Sequence, residues 1–301
     1  MNAILRAVFE PGFFTSTPVQ VALLVGGMAA LVCGVVGTFA VIRGQSYAGH
    51  ALADISVTGG SASYLAGITP LWGFAGVGVA AAAAMDLIGV QRRRGRDLAT
   101  GVVRGAGLGL AALFLYWGTT STTTTGATVT VLFGSLFTIS PATAAVAALL
   151  GVIALGIVAG LYRPLLLSSA SPELAFARGI PVRVTGALCL AAIALAVSLS
   201  ALTIGAILST ALLVGPAAAA LRLTSQPGLA VLWSAVTGLA ATWLGVLLAY
   251  DSYYWPPAHQ GWPVSFFVVA LVLVFYLLAQ AGRPAGTRRD QAVAPPAEAG
   301  A

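Results

Sequence analysis

Lysine is absent from all 301 residues, and only 7% of them are charged. Soluble globular domains carry about 25% charged residues. A water-facing surface of ordinary size is therefore excluded. Hydrophobic residues make up 59% of the chain, so lipid replaces water around most of the molecule. The formal charge is +6, and every one of the fourteen basic residues is Arg. They stand between apolar runs and form no patch, which argues against nucleic acid and for lipid headgroups and membrane orientation. Cysteine is nearly missing too. Cys33 and Cys189 each lie within an apolar run, with no His or Cys at ligand spacing. That excludes a disulfide framework and reads as two small buried hydrophobes. No GxxxxGK[ST] loop is present, so ATP is not bound in the P-loop manner. HExxH and GxSxG are absent as well, which weakens protease and hydrolase readings. There is no repeat with a period of 20–50 residues. Nor is a cleavable signal evident: Arg6, Glu10 and Pro11 precede a hydrophobic run too long for a signal core.

What is present is a series of apolar runs. A helical crossing of a bilayer needs about 20 apolar residues. Nine segments qualify: 18–42, 49–67, 71–91, 98–118, 128–161, 183–202, 204–223, 229–250 and 262–281. The fifth is too long for one straight crossing, and Gly134 with the Ser140-Pro141 step predicts a short piece followed by a full helix. The sixth and seventh are joined by so little that eight crossings is the alternative count. The predicted fold is all-α, a polytopic transmembrane helix bundle of eight to nine crossings. Residues 1–17 form an extracytoplasmic N-terminal segment, 18–281 the membrane domain, and 282–301 a disordered cytoplasmic tail rich in Pro, Ala and Gly. With the C-terminus inside, thirteen of the fourteen arginines fall on or beside one side and only Arg6 on the other. That is the positive-inside bias, and it puts the N-terminus outside. The outer loops are then the Thr-rich stretch 119–127 and the aromatic stretch 251–262.

Polar residues at membrane depth are the informative ones. An Asp at a helix centre costs about 2.5–3.5 kcal/mol on insertion scales, so it usually has a partner or a task. His50 and Asp54 stand at i, i+4 and share one helical face near the start of the second segment. Imidazole with carboxylate suits Zn²⁺ and related divalent ions, or the two form a local pair that satisfies itself. Asp86 lies near the Arg92–Arg96 cluster and is expected to pair with an Arg. Asp251 and His259 fall in an outer loop, where solvation explains them. Gly59-Gly60-Ser61-Ala62-Ser63 forms a small-residue surface suited to close helix packing. The stretch Ser168–Arg183 predicts a short capped helix on the cytoplasmic side. Ser171-Pro172-Glu173 starts it, with an acid at the positive end of the dipole, and Gly179 followed by Pro181 stops it. Such an element suits docking of a cytoplasmic partner.

Several blocks in order resemble the permease subunits of ATP-binding-cassette importers for manganese, zinc and iron. They are Gly37–Arg43 with Ser46–Leu52, Arg96–Val103, Leu132–Leu136, Pro172–Gly179, and Ile204–Ala217. Together they run from about residue 20 to residue 280. The first-loop motif departs from the family: Asp54 stands where His is usual, Ala53 where Ser is usual, and Thr58 where Pro is usual. Ser171 replaces an Asp at the start of the docking motif, a conservative N-cap exchange. The resemblance implies that His50 and Asp54 border a metal path, with ligand character hardened from nitrogen toward oxygen. It implies that Pro172, Glu173, Leu174, Ala175, Arg178 and Gly179 couple to an ATPase. The expected function is thus a non-enzymatic permease in the cytoplasmic membrane of a prokaryote, which holds Mn, Zn or Fe only transiently. The expected partners are a second copy of the chain, a cytoplasmic ATPase dimer, an extracytoplasmic metal-binding protein and membrane lipid. The alternatives are a permease for a siderophore, cobalamin or another solute, and a carrier or membrane enzyme that works without an ATPase.

Overall fold

A computed structural model of the chain describes residues 13, 16–88, 96–121, 126–134, 136–254 and 261–282. Among them are twelve α-helices and two 3₁₀ turns, and no strands. In chain order the helices are α1 (Thr17–Ile42), α2 (Ser46–Leu65), α3 (Pro70–Ile88), α4 (Arg96–Ser121), α5 (Gly126–Phe133), α6 (Pro141–Gly160), α7 (Tyr162–Ala170), α8 (Pro172–Ala177), α9 (Val182–Ile204), α10 (Ser209–Leu223), α11 (Pro227–Asp251) and α12 (Val264–Ala281). Only helices bond all their backbone groups within one segment, which is what a chain in lipid requires.

Each of the nine apolar segments contains one long helix. Seven of these are long and apolar enough to cross a membrane. The other two are α2 and α10. At 20 residues α2 has the length, but it carries His50, Asp54 and a run of Ser and Thr. Helix α10 has 15 residues and a proline, Pro216, in its interior. The fifth segment divides as its Gly and Pro predict. Gly134 ends α5 with φ 80°, a 3₁₀ turn covers Leu136–Thr138, and α6 begins at Pro141 with Ser140 as its N-cap. Helix α7 follows α6 directly, with Gly160 closing α6 and Pro164 in the first turn of α7, a break signal that the reading of the fifth segment as ending at residue 161 did not use.

The break after α5 is fixed by its neighbour. Gly205 ends α9 with φ 84°, and a Cβ there would overlap the Leu132 carbonyl. Ala206 donates its amide to Val131 O at 3.2 Å, so backbone groups freed at both helix ends satisfy each other.

Helix α9 is the axis of the bundle: 83% of its apolar window is buried, against 61% for α1, 22% for α6 and 11% for α4. Val102, Leu110, Tyr116 and Trp117 of α4 are exposed, as are Leu149 and Val152 of α6. Such faces suit acyl chains. Helices meet through small residues. The sharpest case is α2 against α3, where a Cβ on Gly59 would overlap the carbonyl oxygen of Gly73, and one on Gly73 the carbonyl of Gly59. The small-residue surface around Gly59 is therefore a packing surface. At the end of the bundle near the start of α2, arginines tie helices together. Arg43 donates to Ser168 Oγ at 2.7 Å, and Arg222 donates to the Tyr276 hydroxyl at 3.2 Å.

Almost all of the 1–17 segment and the 282–301 tail lie outside the described residues, as do Arg92, Arg93 and Arg94. Gly59→Ala tests the crossing of α2 and α3. The added methyl forces the helices apart, and overpacking costs about 1–3 kcal/mol. Its thermal midpoint in detergent should fall by several degrees. Gly76→Ala, where a Cβ meets nothing within 4 Å, should leave it unchanged or slightly raised.

Candidate functional site

Helix α2 brings His50 and Asp54 to one face, with His50 Nε2 and Asp54 Oδ2 3.8 Å apart. They are not alone there. Arg104, from α4, reaches between them. Its Nε donates to Asp54 Oδ2 at 2.5 Å, and its Nη2 lies 3.1 Å from His50 Nε2. From the first turn of α10, Thr210 Oγ1 lies 2.9 Å from His50 Nδ1. Three helices thus converge on one pair of side chains.

The donors settle the imidazole's tautomer. A guanidinium can only donate, so Nε2 is the acceptor. Nδ1 then carries the proton and gives it to Thr210 Oγ1. Both ring nitrogens and the carboxylate are engaged. The side chain of Asp54 is only 14% exposed, while Arg104 at 31% and His50 at 36% face a more open side. A nearly buried carboxylate needs a partner, and Arg104 provides both charge and hydrogen bond.

One turn further along α2, Thr58 Oγ1 donates to Gly107 O at 2.7 Å. A hydroxyl where the metal-importer motif has Pro therefore fastens α2 to α4, and α4 carries Arg104. The local His–Asp pair, one of the two readings that the spacing allowed, is part of a wider cluster. In the sequence Arg104 counts only as one of the thirteen arginines on one side. Its position a full two turns into α4, within Val-Val-Arg-Gly-Ala-Gly, was the available signal.

Chemically, one chain offers one nitrogen and one oxygen ligand here. No group of three or more His, Cys, Asp or Glu is gathered among the described residues. Asp86 is paired, as expected, but with Arg183: their Nε to Oδ2 distance is 3.9 Å. Asp251 is the last residue of α11, and His259 lies outside the described residues. The cysteines are free and buried apart. Cys33 Sγ donates to Ala196 O at 3.4 Å, and Cys189 Sγ approaches Gln45 Oε1 at 3.7 Å.

The second candidate element is α8. Ser171 caps it, its side chain accepting from Leu174 N at 3.3 Å. Pro172 and Glu173 occupy its first turn, Arg178 is its C-cap, and Gly179 ends it with φ 74°. Leu174 is 59% and Phe176 79% exposed, whereas Ala175 is fully buried. Among the residues singled out from the sequence, Ala175 therefore seats the helix on its own chain. Phe176, which the motif reading passed over, is its most exposed large side chain.

A bundle of membrane-length helices, with a partly buried ion pair between two of them and a short exposed helix at one end, defines a polytopic membrane protein of the permease class. Residues 16–280 match the ABC 3 transport family. The chain belongs to that family, and it is a transport permease and not an enzyme. It is 28% identical over 244 residues to the manganese transport system membrane protein MntC of Listeria monocytogenes, covering 81% of this chain and 85% of the relative. It is 29% identical to the manganese import system permease protein ScaB of Streptococcus parasanguinis, with coverages of 77% and 81%. Among solved structures it is similar in fold to PsaBC of Streptococcus pneumoniae in complex with Fab. There the TM-score is 0.79 and the identity 23%, over 97% of this chain and 100% of the other. An inward-facing ABC transporter described as of metal-chelate type gives a TM-score of 0.70 at 16% identity, over 87% and 84%.

Thr58→Val removes the hydroxyl that joins α2 to α4 while keeping the side chain's volume. The loss of one such hydrogen bond costs about 0.5–1.5 kcal/mol. Thermal unfolding of the purified protein should show a small drop, which Thr58→Ser restores in large part.

Proposed function

We propose that this permease imports a divalent transition metal, with Mn²⁺ ahead of Zn²⁺ and Fe²⁺, across the cytoplasmic membrane of a prokaryote. The observation that carries the reading is the His50–Asp54 pair. These are the two ionisable ligand groups on an otherwise uncharged helix, and they sit on one face. The relatives named for manganese support the cargo. Oxygen-rich ligation also suits Mn²⁺ better than all-nitrogen sites do.

In this reading the chain works as a homodimer with the path near the two-fold axis. Each copy contributes His50 and Asp54, giving up to four ligands, and water completes the shell. The metal is cargo, so it is held weakly. The exposed Leu174 and Phe176 on α8 would dock a cytoplasmic ATPase dimer. Arg43, bonded to Ser168 just before α8 and three residues before α2 begins, would join that docking helix to the ligand helix. An extracytoplasmic metal-binding protein would deliver the ion to the opposite face. The arginine bias supports the N-terminus outside and the C-terminus inside.

Two experiments test this. Asp54→Asn keeps the shape and removes the charge. It should reduce radioactive Mn²⁺ uptake by at least tenfold while the purified protein still unfolds cooperatively at a comparable temperature. Normal uptake by stably folded Asp54→Asn would end the reading. Phe176→Asp should leave insertion intact and abolish ATP-driven uptake, because an exposed aromatic anchor is replaced by a charge at the interface. Wild-type uptake by that variant would remove α8 from the docking surface.

A further inference from the structure

We propose that Arg104 is a tethered competitor for the cargo: its guanidinium occupies the ligand atoms of His50 and Asp54 in the resting protein, and a divalent cation reaches them only by displacing it. The inference rests on the reading that a divalent metal passes α2.

The atoms coincide. A cation at this pair would use the free lone pair of His50, which is on Nε2, and an oxygen of Asp54. Arg104 Nη2 lies 3.1 Å from that nitrogen, and Arg104 Nε donates to Oδ2. Thr210 holds Nδ1 at 2.9 Å, so the ring cannot offer its other nitrogen without breaking a second bond. Arginine is never deprotonated in a protein. His50 Nε2 has a single lone pair, so a divalent ion and the guanidinium exclude each other at that nitrogen.

Displacement has somewhere to go. Arg104 belongs to α4, a different helix from the ligands, and α4 is the least buried of the long apolar helices. Its side chain is about one-third exposed. A Cβ at the adjacent Gly105 would meet nothing within 4 Å, and one at Gly101 only the Tyr47 hydroxyl at 3.9 Å. The guanidinium can swing along this flank, where the Tyr47 hydroxyl is a further hydrogen-bond partner, while α4 stays fastened to α2 through Thr58 and Gly107.

The arrangement answers two needs of a transport site. With no ion bound, Asp54 would be an uncompensated carboxylate on a nearly buried face, and Arg104 neutralises it. With an ion arriving, apparent affinity is the intrinsic affinity multiplied by the fraction of molecules in which the ligands are free. Arg104 makes that fraction small. It thereby keeps binding weak enough for release and sets how strongly a cation must compete to enter.

The test measures Mn²⁺ binding to the full-length permease in nanodiscs without nucleotide, following free Mn²⁺ by electron paramagnetic resonance. Arg104→Gln should bind Mn²⁺ at least tenfold more tightly than wild type. Adding Asp54→Asn to it should erase the gain. Unchanged or weaker binding by folded Arg104→Gln overturns the proposal and makes Arg104 a fixed structural partner. If Arg104→Gln does not fold, Arg104→Lys decides. An ammonium can pair with Asp54 but cannot span to His50 Nε2 at the same time, so affinity should rise several-fold, and no rise overturns the proposal. The two readings fail differently. If wild type takes up Mn²⁺ and neither variant binds more tightly, only the competitor role falls. If wild type and both variants neither bind nor take up Mn²⁺, Zn²⁺ or Fe²⁺, the metal reading falls and this proposal with it.

Discussion

Helices in a bilayer gain nothing from hiding apolar side chains from lipid, because the acyl chains are as apolar as leucine. What remains to hold them together is close contact, and close contact needs small residues. The bundle is built on that constraint. At the Gly59–Gly73 crossing the backbones of α2 and α3 meet with no room for a methyl on either side. Gly37 faces the Leu213 carbonyl, and Gly34 lies against Ala235, while Ser234 Oγ donates to Gly34 O at 2.8 Å. These contacts set the spacing of α1, α2, α3, α10 and α11. That spacing in turn decides which polar groups can touch.

Charge is rare enough inside this bundle that each instance organises its surroundings. Asp54 on a nearly buried face would be costly alone. Arg104 resolves that cost from the neighbouring helix, and in doing so aligns His50, whose other nitrogen then engages Thr210. An ion pair of this kind adds little net stability, since both groups lose solvation. Its consequence is conformational: it gives α2 and α4 a specific register. Asp86 and Arg183, at 3.9 Å with the arginine largely exposed, form a looser contact whose effect on stability is small.

The amphipathic signal that guides the reading of soluble proteins is weak here. Helices such as α1 and α9 are apolar almost all the way round, so their sequences mark where a helix lies but not which side faces a partner. That explains an uneven legibility. The division of the fifth segment was readable, because Gly134 and Pro141 act on the backbone locally. The cap of α8 was readable for the same reason: Ser171, Pro172 and Gly179 each impose a dihedral or satisfy an amide within a few residues. Helix α7 was legible only in part: Pro164 in its first turn marks a break, but Leu161 alone separates it from α6, so one run of residues passes from one helix into the next. The inward orientation of Ala175 beside the outward Leu174 and Phe176 was not legible, because it depends on how α8 rests on the rest of the chain.

Composition alone determined that this protein lives in lipid, and the spacing of apolar runs determined its helices, because in a membrane the backbone must bond within its own segment and that choice is local. The sequence also marked His50 and Asp54, since two ionisable groups at i, i+4 share a face wherever the helix goes. Only the tertiary structure decided what that face meets. Arg104 is 50 residues from Asp54 and Thr210 is 160 from His50. Their arrival depends on the depth and rotation of α4 and α10, which follow from glycine-to-backbone contacts distributed over the bundle. A pair that spacing presents as open ligands is, in three dimensions, a pair already held.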